Sequence, residues 1–81
     1  MNVRVQFFSR LRDVTGASSA ELELRDGATV AELVEKLYLQ TPALREWDSS
    51  ILVGAGVEFV DRTHVITAGE EIAIMPPVQG G

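Results

Sequence analysis

Cysteine is absent from all 81 residues of the chain. Disulfides, zinc–thiolate sites and thiol nucleophiles are therefore excluded together within this sequence. Histidine is nearly absent too: His64 is the single one, between a turn and a strand-like segment. We interpret it as structural or solvent-facing.

Arrangements of side chains that could catalyse a reaction or bind a ligand are also missing from the sequence. The twelve acidic residues are spread along the chain without a local pair of the kind used in acid–base catalysis. Ser18-Ser19 and Ser49-Ser50 have no base nearby, and Gly54-x-Gly56 is too short for a phosphate-binding loop. No metal-ligand spacing occurs. We expect no bound metal or cofactor and no catalytic side chain.

Positive charge is also scarce. Seven basic residues stand against twelve acidic ones, giving a net charge of −5 with no basic stripe. Nucleic-acid binding is disfavoured, because that affinity depends on neutralising phosphates. An acidic body suits docking onto a basic protein surface, or it only keeps the protein soluble.

Long hydrophobic runs are missing as well. No apolar stretch approaches the roughly 20 residues of a membrane helix, and the first residues lack a signal-peptide core. We expect a cytoplasmic protein without a membrane interaction.

Five short segments alternate in polarity or carry strand-forming residues, which predicts five strands. The segments are residues 3–8, 20–25, 51–53, 57–60 and 72–75. Residues 9–16 are interpreted as irregular, Gly54-Ala55-Gly56 as a turn, and residues 43–50 as a loop held to the core by Leu44 and Trp47.

One amphipathic helix is predicted between the second and third strands. Thr29 and Glu32 have the spacing of a capping box, and Glu32 and Lys36 the spacing of a favourable ion pair. The apolar positions 30, 33, 34 and 37 lie on one stripe. Thr41-Pro42 ends the helix.

The predicted element order is ββαβββ. A single helix has to bury its stripe against one face of the sheet, so the fold class is α+β with two layers. We divide the chain into a domain at residues 1–75 and a flexible tail at residues 76–81.

The tail carries the most specific signal. Pro76 and Pro77 follow the last strand and fix an extended exit, and Val78, Gln79, Gly80 and Gly81 complete the chain. Six extended residues reach at most about 20 Å. Two glycines present a backbone thin enough for a pocket that any side chain would block. A frayed end is the simpler alternative.

The free carboxylate of Gly81 is the remaining reactive group. With an ordinary pKa of about 3.3–3.7 it is ionised at neutral pH and is a poor electrophile. Activation by ATP as an acyl-adenylate would let a sulfur nucleophile displace AMP and leave a thiocarboxylate. A chain without cysteine could carry sulfur in this way.

Two segments resemble the small, sulfur-carrier subunits of molybdopterin synthase. They are FFSRLRDVTG at residues 7–16 and GEEIAIMPPVQGG at residues 69–81. The resemblance extends over the whole chain and implies a ubiquitin-like β-grasp fold, with a mixed sheet and one main helix on one face.

The resemblance also implies partners and a reaction. An E1-like adenylyltransferase would use ATP to adenylate Gly81, and a sulfurtransferase would convert it to the thiocarboxylate. The tail would then enter the active site of the large subunit and give sulfur to cyclic pyranopterin monophosphate. The assembly would be a heterotetramer whose catalytic side chains belong to the large subunit, the small subunit alone being non-catalytic.

Family members dock through exposed apolar residues on the sheet, which match Phe8, Phe59 and Met75 here. The alternative is that these are ordinary surface residues. The chain departs from the family at Gly54-Ala55-Gly56, where an asparagine is common, which puts the local turn and one partner contact in question.

Three other functions stay open from the sequence. The chain could carry sulfur for another product such as thiamine, or be a ubiquitin-like modifier joined through Gly81 to lysines. It could also be a non-conjugating β-grasp binding module whose tail is incidental.

Overall fold

The computed structural model describes residues 1–77 and contains one five-stranded sheet. Its strands are β1 (Asn2–Phe7), β2 (Ser19–Glu23), β3 (Leu52–Ala55), β4 (Glu58–Val60) and β5 (Ile72–Met75). The helices are α1 (Arg10–Thr15), α2 (Val30–Gln40) and a 3₁₀ helix (Pro42–Trp47).

The strand order is β2-β1-β5-β3-β4. The first and last strands lie side by side in the centre and run parallel, with Phe7 opposite Ile74. All other pairings are antiparallel. The predicted α+β class, with a mixed sheet and one main helix, is confirmed.

The core lies between α2 and one face of the sheet. Alternate residues of the strands point into it, as the polarity pattern predicted, and the helix contributes its apolar stripe. The buried set is Val3, Val5, Phe7, Leu11, Leu22, Leu24, Ala28, Val30, Leu33, Val34, Leu37, Tyr38, Leu44, Val53, Ala55, Ile66, Ile72 and Ile74. The other face of the sheet is left uncovered by α2.

The N-terminus of α2 has the predicted capping box. The Glu32 amide donates to the Thr29 hydroxyl, and the Glu32 carboxylate accepts from the Thr29 amide at 2.9 Å. The predicted pair between Glu32 and Lys36 is wrong. Glu32 instead receives two 2.8 Å hydrogen bonds from Arg25, because the capping geometry turns its carboxylate towards the preceding loop.

The segment after β1, predicted to be irregular, forms α1, so the chain has more helical elements than the order ββαβββ allowed. The six-residue helix buries only Leu11, which is too little to show helical periodicity. It begins after Ser9, whose φ of +52° and ψ of −130° are unusual for a residue with a side chain. The chain turns sharply at this point.

Other boundaries also differ from the prediction, most strand ends by one or two residues. The predicted loop after α2 is the 3₁₀ helix, with Pro42 in its first turn. Gly54 and Ala55 belong to β3, and the turn is Gly56-Val57, where Gly56 has φ of +63° as a two-residue hairpin requires. The second strand begins one residue earlier than expected.

We expect Ser9→Gly to stabilise the protein by about 1 kcal/mol. Glycine relieves a backbone strain of about 1–3 kcal/mol at this φ, which exceeds the extra freedom it gives the unfolded chain. Urea unfolding measures the change. Ser18→Gly is the control, since Ser18 has no positive φ, and it should destabilise slightly. Equal losses in the two variants would contradict strain at Ser9.

We expect Glu32→Gln to lose stability in a pH-dependent way. Hydrogen bonds from Arg25, and then from the Thr29 amide, hold the pKa of Glu32 below its ordinary 4.5. The carboxylate therefore stabilises the fold above pH 4.5, and this contribution disappears as the pH falls through the lower folded-state pKa. The difference between wild type and variant in unfolding free energy should shrink over that range. A difference independent of pH would disprove the assignment.

Candidate functional site

The uncovered face of the sheet carries a continuous set of apolar residues, which we call the apolar strip. It runs from the end of β1 across β5 and β3 to β4. The strip consists of Phe8, Leu52, Gly54, Phe59, Ala73 and Met75.

Strand register places the members of the strip next to one another. Met75 lies opposite Leu52, while Gly54 lies opposite Ala73 on one side and Phe59 on the other. The Phe8 amide donates to the Ile74 carbonyl at 3.1 Å, which continues the pairing of β1 with β5 to the level of Met75.

Gly54 shapes the middle of the strip. A Cβ on this residue would lie 3.3 Å from Cε of Met75, closer than side chains normally approach. The methyl end of Met75 therefore lies over the glycine, and the small side chain of Ala73 borders the same space at 3.8 Å. The sequence did not indicate this role, because Gly54-Ala55-Gly56 has the composition of a turn and Gly54 lies instead within β3.

The three predicted docking residues all lie on this face. Phe59 is 68% exposed and Phe8 is 41% exposed, while Met75 is half-buried. Val57, at the tip of the β3–β4 hairpin, is fully exposed beside Phe59. The structure thus brings the residues onto one surface. That a partner binds them stays a prediction.

A groove of about 620 Å³ lies where β5 ends and the tail begins. We call it the tail-root groove. It is lined by Phe8, Ser9, Arg10, Trp47, Met75, Pro76 and Pro77. The apolar strip therefore continues up to the point where the chain leaves the sheet. Trp47 was not among the predicted site residues, although a single tryptophan in a short connection is a signal that could have indicated one.

The position of Trp47 is fixed by the 3₁₀ helix. Leu44 anchors this helix in the core, and the Tyr38 hydroxyl donates to Asp48 at 2.5 Å. Arg62 also donates to the carboxylate of Asp48, at 3.1 Å, and to its carbonyl, at 2.8 Å. Burial, and then the bond to Asp48, raises the pKa of Tyr38 to about 12, so the hydroxyl remains a donor at physiological pH.

Pro76 and Pro77 are half-buried at the edge of the tail-root groove. The remaining predicted tail residues, Val78, Gln79, Gly80 and Gly81, lie outside the described residues. The proposed reactive carboxyl group is among them.

His64 has a structural environment. Its Nε2 lies 3.1 Å from both carboxylate oxygens of Glu70, and its carbonyl accepts from the Val30 amide. These contacts join the segment between β4 and β5 to the start of α2. Over residues 1–77, no three His, Cys, Asp or Glu side chains come together in a way that could hold a metal ion.

The helices of this same part of the chain are all too short or too polar to cross a membrane. The described residues thus supply an apolar surface and a groove at the root of the tail.

The model of the ThiS family matches residues 5–81. The chain belongs to this family. Two similar relatives are molybdopterin synthase sulfur carrier subunits. That of Arabidopsis thaliana is 28% identical over 81 residues, covering all of this chain and 84% of the relative. That of Escherichia coli K12 is 32% identical, covering 98% of this chain and 99% of the relative.

Solved structures of similar proteins agree with the fold of this ThiS-family chain. SAMP1 from Haloferax volcanii has a TM-score of 0.86 at 28% identity, with all of both chains covered. The BexX/CysO complex from Amycolatopsis orientalis contains a chain with a TM-score of 0.78 at 25% identity, covering 98% of this chain and 99% of that one. The ubiquitin-like β-grasp fold implied by the sequence is confirmed.

We expect Gly54→Ala to move the methyl group of Met75 while leaving this ThiS-family chain folded. The new Cβ would lie 3.3 Å from a flexible side-chain end, which can shift at little cost. Methyl NMR of the two methionines measures the effect. The Met75 signal should shift, and that of Met1, at the far end of β1, serves as the reference. An unchanged Met75 signal would contradict the packing over Gly54.

Proposed function

We propose that this chain is the sulfur-carrier subunit of molybdopterin synthase. Gly81 is adenylated, converted to a thiocarboxylate, and donates its sulfur to cyclic pyranopterin monophosphate. The observation that carries the proposal is the continuity of the apolar strip with the tail-root groove. A partner that covers the strip also contacts the start of the tail.

The names of the relatives support a sulfur-carrier role. Support for the molybdopterin pathway in particular comes from the relatives in Arabidopsis and Escherichia coli, which both carry this name. The ending Pro-Pro-Val-Gln-Gly-Gly adds to it, because it matches the family pattern noted in the sequence.

The proposed chemistry takes place at the backbone terminus. The Gly81 carboxylate attacks the α-phosphate of ATP, and pyrophosphate leaves. A hydrosulfide equivalent from a sulfurtransferase then attacks the acyl carbon, and AMP leaves with the former carboxylate oxygen. The product is a thiocarboxylate, whose soft, ionised sulfur is a good nucleophile. The sulfur displaces an oxygen substituent of the pterin precursor and forms a thioester between Gly81 and the precursor. Water then cleaves the acyl–sulfur bond, which leaves the sulfur on the product and returns the carboxylate.

The division of labour follows from what the chain lacks. Without cysteine in the sequence, and without a metal-binding cluster in residues 1–77, the carrier supplies a surface and a thin chain end. An E1-like enzyme supplies ATP chemistry, and the large subunit supplies the catalytic side chains. A complex of two large and two small subunits is the proposed assembly.

We expect the purified protein to exchange one oxygen for sulfur when incubated with an E1-like enzyme, ATP and a sulfur donor. Intact mass spectrometry detects the exchange, and fragmentation places it at Gly81. Removal of Gly80 and Gly81 is the matched control and should abolish it. An unchanged mass, under conditions that modify a known carrier, would overturn the proposal.

We expect Phe59→Ala to weaken binding to the large subunit by about tenfold or more, since exposed aromatic anchors dominate interface energy. Isothermal titration calorimetry measures the dissociation constant. Leu39→Ala is the control, because Leu39 is 77% exposed on α2, on the side of the molecule away from the apolar strip. Equal affinities of the two variants would contradict docking through the strip.

A second candidate function is protein modification. It is favoured by the similarity to SAMP1 from Haloferax volcanii. A second solved structure from the same organism names this protein in full as small archaeal modifier protein 1. The two functions differ in the final acceptor, a pterin or a lysine amine. Molybdopterin formation with the large subunit and cyclic pyranopterin monophosphate supports carriage. Isopeptide-linked products without molybdopterin would support modification.

A further inference from the structure

The arginines of the chain fall into two groups. Four of the six form ion pairs with acidic side chains, at 2.8–3.3 Å. These pairs are Arg4–Glu21, Arg25–Glu32, Arg45–Glu35 and Arg62–Asp48. Arg10 and Arg12 are the exceptions, because neither lies within 4.0 Å of a carboxylate of residues 1–77. In a chain with twelve acidic residues, two exposed arginines without such a pair are unexpected.

Both exceptions lie on α1, and each lines a recess to which Phe8 also contributes. Arg10 lines the tail-root groove together with Pro76 and Pro77. Arg12 lines a second recess, of about 480 Å³, together with Arg4 and with Ser18 and Ser19 at the start of β2. Phe8 and Ser9 belong to both recesses. The two arginines therefore line neighbouring recesses that share one apolar residue of the proposed interface.

The backbone fixes this arrangement at a cost. The positive φ of Ser9 sets the direction in which α1 leaves β1, and such a conformation costs about 1–3 kcal/mol in a residue with a side chain. Leu11 holds the other side of the helix in the core. The orientation that exposes Arg10 and Arg12 is thus built into the fold. Asp13, the one acidic residue of α1, leaves the helix with a positive net charge.

We propose that Arg10 and Arg12 bind carboxylates on the large subunit, beside the mouth of the channel that receives the tail. The inference rests on the proposed function. A guanidinium group matches a carboxylate through two parallel hydrogen bonds, so the pair would fix the orientation of the tail root as well as attract the partner. The apolar strip alone is non-directional and gives no such orientation.

The charge around the tail root differs in sign from the net charge of the chain. The acidic body as a whole suits a basic partner surface, whereas the area around the tail root requires an acidic one. A partner with both signs of charge in matching positions would be steered into one orientation and would reject the others.

The test compares two double variants that change net charge equally. Arg10→Gln/Arg12→Gln removes the proposed contacts, and Arg25→Gln/Lys36→Gln removes the same charge around α2. Circular dichroism establishes that each is folded. The dissociation constant for the large subunit is then measured by surface plasmon resonance over a range of NaCl concentrations.

The α1 variant should bind the large subunit about tenfold more weakly at low salt, and its affinity should depend less on salt than that of the wild type. The control should stay within about threefold of the wild type. Equal affinity and salt dependence in the two variants would overturn the inference. So would normal binding to the large subunit combined with loss of adenylation, because the pair would then serve the activating enzyme.

The wild-type measurement separates this inference from the proposed function. Failure of the wild type to bind the large subunit at any salt concentration would reject the proposed function, and with it the partner named here. Strong wild-type binding that does not change in the α1 variant would reject only the role of Arg10 and Arg12.

Discussion

The parallel pairing of β1 with β5 is the constraint on which the rest of the structure depends. It brings the first and last strands together in the centre of the sheet, with Phe7 opposite Ile74. Phe8 and Met75 consequently leave the two strands side by side. The tail begins one residue later, so the anchor nearest the N-terminus lies next to the root of the C-terminal segment.

The uncovered sheet face derives its form from this pairing and from one small residue. Gly54 leaves room for the methyl end of Met75, which lies over the glycine. Burial of apolar area gives such a surface affinity without direction. Charged groups at its border, such as Arg10, can supply the direction. The two kinds of contact have different physical roles in one docking surface.

The group to which we assign the chemistry lies in a different part of the sequence from the residues that form the core. The core between α2 and the sheet contains no buried polar or charged residue among residues 1–77. The reactive group that we propose, the backbone carboxyl of Gly81, does not depend on the core. In the proposed function it needs a partner that activates it and a chain end thin enough to enter that partner's site.

The sequence by itself determined the elements whose signals are local. Alternation in β1 and β5 and the capping box at Thr29 are set by neighbouring residues, and they predicted the strands, α2 and the fold class. The candidate residues Phe8, Phe59 and Met75 could also be named in advance. Their arrangement could not, because the pairing of β1 with β5 joins residues about seventy positions apart. Only the tertiary structure decided that Gly54 accommodates Met75, that Trp47 lines the tail-root groove and that α1 exposes two arginines beside Phe8. Each of these depends on distant segments meeting in space, and no local pattern records such a contact.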